Sequence, residues 1–342
     1  MALLKSKKSI TITGKNLNKL GTKAVNIKPK TTKKIINRYH FLIKCRAYIF
    51  QLLGIDLVKT DDEEINNYVK SYLSKNMKNV ILDLKFEDEL LNLRKKYQKN
   101  KKLSLHDKDT LYSILDFITK EIVDNGGLQK YQIASIMGQN SDRGGDSSKK
   151  LMEWILELND SGKVFRDMKT LEIGCLRVDN ILSKHKYKKF VNSIERIDLN
   201  SNHPEIKKED FLLKPIPETN EQKFDLISCS LVVNFVPDEN KRGEMMRRLK
   251  KFCRNQGLLF FVLPLPCVTN SRFTDDHVLV KNIMERGLNF KLLKEHKSNK
   301  IAYYLFQNNN SVYDEFFLHS NHGSRKNIRG KPGMNNFCIT FG

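Results

Sequence analysis

Three polar positions follow short apolar runs in the second half of the chain. Gly174 closes "TLEIG", with the acid Glu172 two residues before it. Asp198 closes "FVNSIERIDL", 24 residues beyond Gly174. Asp210 and Phe211 lie in "EIKKEDFL", and a fourth run, "FDLISCSLVVNFV", carries Ser230 and Asn234. A glycine lets backbone approach a ligand closely. An acid at the next strand end can accept both hydroxyls of a ribose. An acid at the third can accept from an adenine amino group, with a phenyl ring as a wall for the base. Each feature alone also suits an ordinary turn or cap. Their succession at three strand ends points to a nucleoside site, because open parallel sheets bind ligands outside the carboxyl ends of their strands.

The elements that must position these residues are legible in the pattern. From Met168 onward, near-continuous apolar runs alternate with polar or helical segments such as "KRGEMMRRLKKFC". Such runs mark strands covered on both faces, and the alternation marks a doubly wound parallel sheet. The stretch "LNFKLLKEHKSNKIAYYLFQ" reads as two strands joined by "KSNK", an antiparallel hairpin that closes the sheet.

Upstream, the pattern is helical. "RYHFLIKCRAYIFQLLGI" begins the fold, and residues 61–100 continue as charged helix from the acidic turn "DDEE". The clearest helix, "HDKDTLYSILDFITKEIVDNGG", presents Leu111, Ile114, Leu115, Ile118 and Ile122 on one face; Asp107 or Asp109 caps it and Asn125-Gly126-Gly127 ends it. After a break at Gly138, the loop "NSDRGGDSS" precedes a helix facing inward with Leu151, Trp154, Ile155 and Leu158, capped by Asp146 or Ser147. That loop is either a plain turn and cap or a lid (142–148) with Arg143 reaching a cofactor carboxylate or an RNA phosphate.

The nucleoside can be narrowed. A dinucleotide site wants G-x-G-x-x-G before a helix, and positions 176 and 179 are Leu and Asp. Arg177 beside Asp179 makes a poor diphosphate nest. S-adenosylmethionine carries no phosphate and needs a ribose acid, an adenine slot and room for a sulfonium and its amino-acid tail. Glu172, Gly174, Asp198, Asp210, Phe211 and Arg143 are therefore the cofactor-binding candidates, and the closing hairpin suits a class I methyltransferase better than a dehydrogenase.

Composition sets the setting. The 342 residues carry 61 basic and 39 acidic side chains, a net charge of +22. Residues 1–55 hold thirteen basic residues and no acid. Such a block seeks polyanions or serves as a nuclear or nucleolar address; the alternative is a solvated tail. No window resembles a membrane span or a secretory signal, so a soluble intracellular protein is expected, with no membrane partner. The six cysteines form no CxxC or CxxH pair, and the eight histidines show no ligand spacing, so no metal is expected. The expected divisions are a basic, disordered leader (1–37), a helical N-terminal region (38–165), a methyltransferase domain (166–307) and a basic C-terminal extension (308–342).

The strings "YQIASIMGQNSDRGGDSSK", "LEIGC", "IDLNS", "DFLLKPIP", "SLVVNFVPDENKRGEMMRR" and "VLPLPCVTNSRF" resemble the fungal 25S ribosomal RNA adenine-N1 methyltransferase family, whose animal relatives are S-adenosylmethionine sensors. The likeness runs through about residues 130–305. It implies an α/β, class I Rossmann-like S-adenosylmethionine-dependent methyltransferase domain after a helical part. Gly174 and Asp198 match the family's cofactor positions, and Asp210 and Phe211 its third motif. The Lys-rich connection "SKHKYKKF" is longer than the family's.

The resemblance implies methylation of adenine N1 in 25S ribosomal RNA. No [DN]PP[YF] tetrad follows the fourth strand, which fits a ring nitrogen: N1 has an in-plane lone pair and needs no base. Catalysis then reduces to positioning and desolvation, with the adenine unpaired and flipped out. Ser230, Asn234 and Asn270 are the candidates for gripping its edge, although Asn234 equally suits a helix cap. Pro264-Leu265-Pro266 either shapes the pocket or ends a strand. Cys229 and Cys267 lack an acid partner that would make either a nucleophile. The leader, the lysines of 184–189 and the tail "GSRKNIRGK" are the candidate phosphate contacts of a monomer acting on 25S rRNA or a pre-60S particle in the nucleus and nucleolus. A non-catalytic S-adenosylmethionine sensor working through a protein partner, and a protein methyltransferase, are the competing readings.

Overall fold

A computed structural model describes residues 29–55, 62–77, 85–97, 104–138, 146–162, 165–201, 203–309 and 312–342. They form two compact units, 29–137 and 138–342. No described helix is long and apolar enough to cross a membrane.

The first unit contains α1 (Pro29–Leu53), α2 (Asp62–Asn76), α3 (Phe86–Tyr97), α4 (Leu105–Asp124) and α5 (Gly127–Gly138). Its core gathers Leu42, Ile49, Val69, Leu111, Ile114, Leu115 and Ile118. Here the structure corrects the expected leader: helix starts at Pro29, nine residues before residue 38. Proline at a helix start forfeits no hydrogen bond. Downstream, the helix is tied to its neighbours by charge. Arg38 grips Glu121 of α4 with two bonds of 2.7 and 2.8 Å, and Arg46 meets Asp62 at 2.9 Å. These two charges of the basic block are therefore spent inside the fold. The start of α4 differs too. Ser104 is the cap, accepting from Asp107 N while Asp107 accepts from Ser104 N, a reciprocal capping box. Asp107 is thus the third residue of the helix and Asp109 no cap.

The second unit holds a seven-stranded sheet: β1 (Met168–Ile173), β2 (Val191–Asp198), β3 (Lys207–Lys208), β4 (Phe224–Ser230), β5 (Cys253–Pro264), β6 (Phe290–Lys297) and β7 (Ile301–Asn308). The order is β3-β2-β1-β4-β5-β7-β6. The first five strands run parallel, and β7 runs antiparallel between β5 and β6. That order, with the final hairpin, is the class I Rossmann-like methyltransferase fold. The β5 run shows why the sheet is covered on both faces. Leu258, Phe260 and Val262 join one core cluster, and Leu259, Phe261 and Leu263 the other, all without exposure. Each such side chain contributes about 1.5–3 kcal/mol by leaving water.

Helix α6 (Ser148–Asp160) covers one face, with Trp154 edge-on to Phe260. It therefore belongs with the sheet and not with the helical N-terminal region expected to reach 165. Helix α7 (Glu239–Phe252) covers the other face through Met245, Met246, Leu249 and Phe252. The sheet is followed in the chain by α9 (Glu315–His322), and α8 (Pro266–Thr269) and a wide π-helix (His277–Gly287) lie between β5 and β6.

The C-terminal segment is not an appended basic extension. Phe337, Cys338, Ile339 and Phe341 are buried in the unit. Arg242 of α7 donates to Cys338 O, Val236 O and Pro237 O. A Cβ at Gly243 would lie 1.9 Å from Thr340 O, so only glycine admits the segment there. In the tail, Arg325 pairs with Glu239 and Arg329 donates to Val268 O, Ser271 O and Thr274 O. Two of its cations are thus structural rather than open to phosphate.

Candidate active site

The carboxyl ends of β2, β1 and β4 lie side by side. Gly174 N and Cys175 N both donate to Ile197 O, at 2.9 and 3.2 Å, so the chain leaving β1 lies against the end of β2 beside Asp198. On the other side Ile173 faces Cys229 in register, which sets Ser230 next to Gly174. Gly174 has φ +73°, and a Cβ there would meet Val232 Cγ2 at 2.5 Å. Glycine is required both by its conformation and by the β4 loop it faces.

Asp198 Oδ1 accepts from Asn200 N at 2.9 Å, a turn that holds the carboxylate at the strand end. Its carbonyl accepts from Glu209 N at 2.9 Å, bringing Asp210 to the next position along the edge. Asp210 Oδ1 accepts from Leu212 N. Burial pushes its carboxyl pKa up, against the Leu212 N–H and the Arg248 charge. Phe211 is not a wall on this edge. Its ring is 4% exposed, lies 5.0 Å from Phe252 and has the Arg248 guanidinium beside it. The core has taken it, in the same apolar cluster as Phe252 and Leu249 of α7. The exposed apolar side chain next to the site is Leu199, directly after Asp198. Arg143 lies outside the described residues.

Beneath Gly174 lies a polar ring that sequence reasoning only touched at Glu172. Glu172 and Arg196 are partners in the β1–β2 register and are both buried. Asn180 donates to Glu172 Oε1 at 2.6 Å, Ser183 Oγ donates to Asn180 Oδ1, and Arg196 donates to Ser183 Oγ at 2.7 Å. Arg196 Nε and Glu172 Oε2 close the ring as an ion pair at 3.5 Å. Desolvation raises the Glu172 pKa, opposed by Asn180 and Arg196. Asp146 adds a strut: it accepts from Ile181 N at 2.6 Å and from Ser148 N at 2.9 Å. It, and not Ser147, bonds the first turn of α6. Ser147 instead shares a 2.8 Å hydrogen bond with Ser230. The signal that could have found Arg196 is its place two residues before Asp198, as Glu172 stands two before Gly174; period-2 strands put such pairs on one face.

At the β4 end, Leu231 has φ +58° and Phe235 N bonds Val232 O, a tight turn that carries Asn234. Asn234 is 7% exposed, and its Oδ1 has no hydrogen-bond partner among the described residues. It is not the cap of α7; Asp238 is, accepting from Asn240 N and Lys241 N. Asn270 is exposed and donates to Gly333 O, which ties it to the C-terminal segment. Pro264 ends β5 and Pro266 opens α8. Cys229 is buried and its thiol is pushed up to about 12 by desolvation; Cys267 is buried too.

Known proteins resemble this chain over nearly its whole length. The family model described as 25S rRNA (adenine(2142)-N(1))-methyltransferase, Bmt2, matches residues 116–339. The chain belongs to this family. A Saccharomyces cerevisiae protein named 25S rRNA (adenine(2142)-N(1))-methyltransferase is 36% identical over 98% of this chain and 99% of its own. A Schizosaccharomyces pombe 25S rRNA adenine-N(1) methyltransferase is 36% identical over 64% of this chain and 78% of its own. Among solved structures, the N-methyltransferase NodS from Bradyrhizobium japonicum in complex with S-adenosyl-l-homocysteine is 15% identical, covering 52% of this chain and 98% of that one at a TM-score of 0.32.

The residues of this Bmt2-family chain fit S-adenosylmethionine. The Gly174 cradle is space that any side chain would fill, and acids stand at two successive strand ends. Arg177 is engaged by Asp179 through bonds of 2.8 and 2.7 Å, so the loop after Gly174 offers no open guanidinium to a diphosphate.

Proposed function

We propose that this chain methylates N1 of an adenine in 25S ribosomal RNA, at the position equivalent to the one named for its S. cerevisiae relative. The observation that carries the reading is the 36% identity to that methyltransferase along 98% of this chain. The edge described above supports it. Gly174 and Asp198 hold the nucleoside part of the cofactor, Asp198 taking the ribose hydroxyls, Asp210 the adenine amine and Leu199 packing on the base. Glu172 fixes the loop above Gly174 through Asn180. Bound there, S-adenosylmethionine supplies an electrophilic methyl carbon and leaves as a neutral thioether.

What the chain itself must do is place the acceptor. Adenine N1 presents a lone pair in the plane of the ring, so no side chain needs to remove a proton before attack. The Asn234 amide oxygen accepts from the adenine N6 amine, which aims N1 at the ligand edge. Ser230, already bonded to Ser147, borders the same space. The base must leave its helix to reach them, and its new positive charge on methylation needs no counter-base. The protein acts as a monomer on 25S rRNA or a pre-60S particle in the nucleolus, with the lysine-rich residues 1–28 as address or anchor.

The test is nucleoside mass spectrometry of 25S rRNA from cells lacking this chain, with re-addition of the purified protein to that RNA. Loss of one 1-methyladenosine and its restoration in vitro are expected. Unchanged 1-methyladenosine in the deletion strain would end the proposal.

A further inference from the structure

The connection from β1 to β2 has two unlike faces. Inward, Leu182 and Phe190 are core residues, with Ile181 and Tyr187 packed against them. Outward, Lys184, Lys186, Lys188 and Lys189 are all exposed. The backbone between is a chain of tight turns: Lys184 N to Ile181 O, Tyr187 N to Lys184 O, Lys188 N to His185 O, Phe190 N to Tyr187 O. Its start is fastened by Asn180 to Glu172 and by Ile181 N to Asp146. Its end is fastened by Met168 N to Phe190 O. The lysines are thus carried on a fixed support running from the ligand edge down the flank of the sheet.

None of the four forms an ion pair among the described residues. Lys186 and Lys189 only lean on the rings of Tyr187 and Phe190. Asp179, the acid nearest in the chain, is held by Arg177. Elsewhere in this unit some lysines find carboxylates, as Lys214 does with Glu195 and Glu209, Lys281 with Glu285, Lys294 with Glu157 and Lys297 with Asp276. Those without one among the described residues, such as Lys241, Lys291 and Lys326, are not gathered four within six residues. A solvated face built for solubility intersperses both signs. Four like charges within six residues, on a rigid support, repel one another unless a polyanion lies across them.

We propose that Lys184, Lys186, Lys188 and Lys189 are a phosphate track that holds the RNA strand flanking the target adenine. This rests on the ribosomal RNA reading above. The lysines grip the backbone and carry no base specificity, so they set affinity and salt dependence, while the ligand edge sets chemistry.

The experiment uses the full chain and a transcript of the 25S rRNA region around the target adenine, with binding measured across a salt series. Each lost phosphate contact flattens the slope of log K against log salt by about 0.7 to 0.9. The variant K184Q/K186Q/K188Q/K189Q is expected to flatten it by roughly 3, raising KM while leaving kcat and S-adenosylhomocysteine affinity unchanged. The matching four-arginine variant should keep the slope. A quadruple K70Q/K75Q/K108Q/K130Q, exposed lysines of the helical unit, should leave it nearly unchanged. A wild-type enzyme that methylates the transcript while the glutamine variant keeps its slope overturns the track and returns these lysines to solvent or an acidic protein. An equal loss from the helical-unit quadruple also overturns it, because net charge would then explain the effect. A wild-type protein that methylates no RNA removes the reading on which the track rests.

Discussion

At the β1–β2 end of the ligand edge, Glu172, Asn180, Ser183 and Arg196 are joined by three hydrogen bonds, and the two atoms left without one, Glu172 Oε2 and Arg196 Nε, face each other as an ion pair at 3.5 Å. At the β4 end, Asn234 is equally buried but keeps an amide oxygen that meets nothing described. The contrast follows from what each half must receive. A small cofactor of constant shape is best met by a finished cradle, and here the buried atoms without a hydrogen bond are opposite charges that compensate each other. A base arriving from a large RNA brings its own donors, so the acceptor half holds hydrogen-bonding capacity in reserve. An unpaired buried polar group costs about 1–3 kcal/mol, and sites of this kind trade stability for function.

Breaking the cofactor half should have the largest effect. Asp198→Ala removes the acceptor for both ribose hydroxyls, charge-assisted bonds of about 1.5–3 kcal/mol each. S-adenosylhomocysteine affinity should fall by a factor of about 100 or more by titration calorimetry, with the melting temperature of the free protein little changed. A variant that binds normally would remove Asp198 from the site.

The acceptor half should respond in the opposite sense. Asn234→Leu is expected to lower kcat by roughly tenfold to a hundredfold, the worth of one orienting hydrogen bond. It should leave S-adenosylhomocysteine affinity intact and not lower stability, because it removes an unpaired oxygen. If denaturant melts show a loss of several kcal/mol, Asn234 has a structural partner and the contrast between the halves disappears.

Gly174→Ala probes the seam between them. A side chain at φ +73° is strained by about 1–2 kcal/mol, and its Cβ would press on Val232. Adding Val232→Ala should relieve the pressure but not the strain, so the double variant should recover part of the lost cofactor affinity. Full recovery would mean that the contact alone demands glycine; no recovery would mean that the conformation does.

How much of this was legible depended on whether a residue's role was local. The parallel sheet, its closing hairpin and the strand-end places of Gly174, Asp198 and Ser230 could be read because apolar runs and the polar residues that end them are short-range signals, whereas the order of the strands, set by long-range pairing, could not. Phe211 was misplaced because the same aromatic suits a ligand wall or a core, and only Phe252 and Arg248, distant in sequence, decide between them. The C-terminal segment read as a basic tail for the same reason. Its charges are visible in the sequence, whereas their partners Glu239 and the Val268–Thr274 carbonyls are not. The start of α1 was hidden by its lysines, since its hold on α4 passes through Glu121, 83 residues away from Arg38.

The smallest effect expected is on pH, and it separates the halves by what neither contains. Cys175 near Gly174 and Cys229 under the β4 turn both have thiol pKa values raised by burial, Cys229 to about 12. Neither ionises between pH 7 and 9, and a ring-nitrogen acceptor needs no base. The methylation rate should therefore be flat across that window; a rate climbing with pH would point to a thiolate or another base in the step. Stability should behave differently above it. Cys229 and Cys253 are held near 12 and Cys338 near 11, against an ordinary 9.0. With folded values raised, the unfolded chain loses these protons first, so the stability these thiols contribute is complete below about pH 9 and declines as pH rises toward 11. Each thiol contributes a slope of about 1.4 kcal/mol per pH unit. Lys250, pushed down to about 8 by burial from 10.5, acts against them, since the unfolded chain holds its proton longer. One amine against these three thiols and Cys175, raised like them, leaves a net decline, and denaturant midpoints at pH 8 and 10.5 should show it while the rate at pH 8 and 9 stays level.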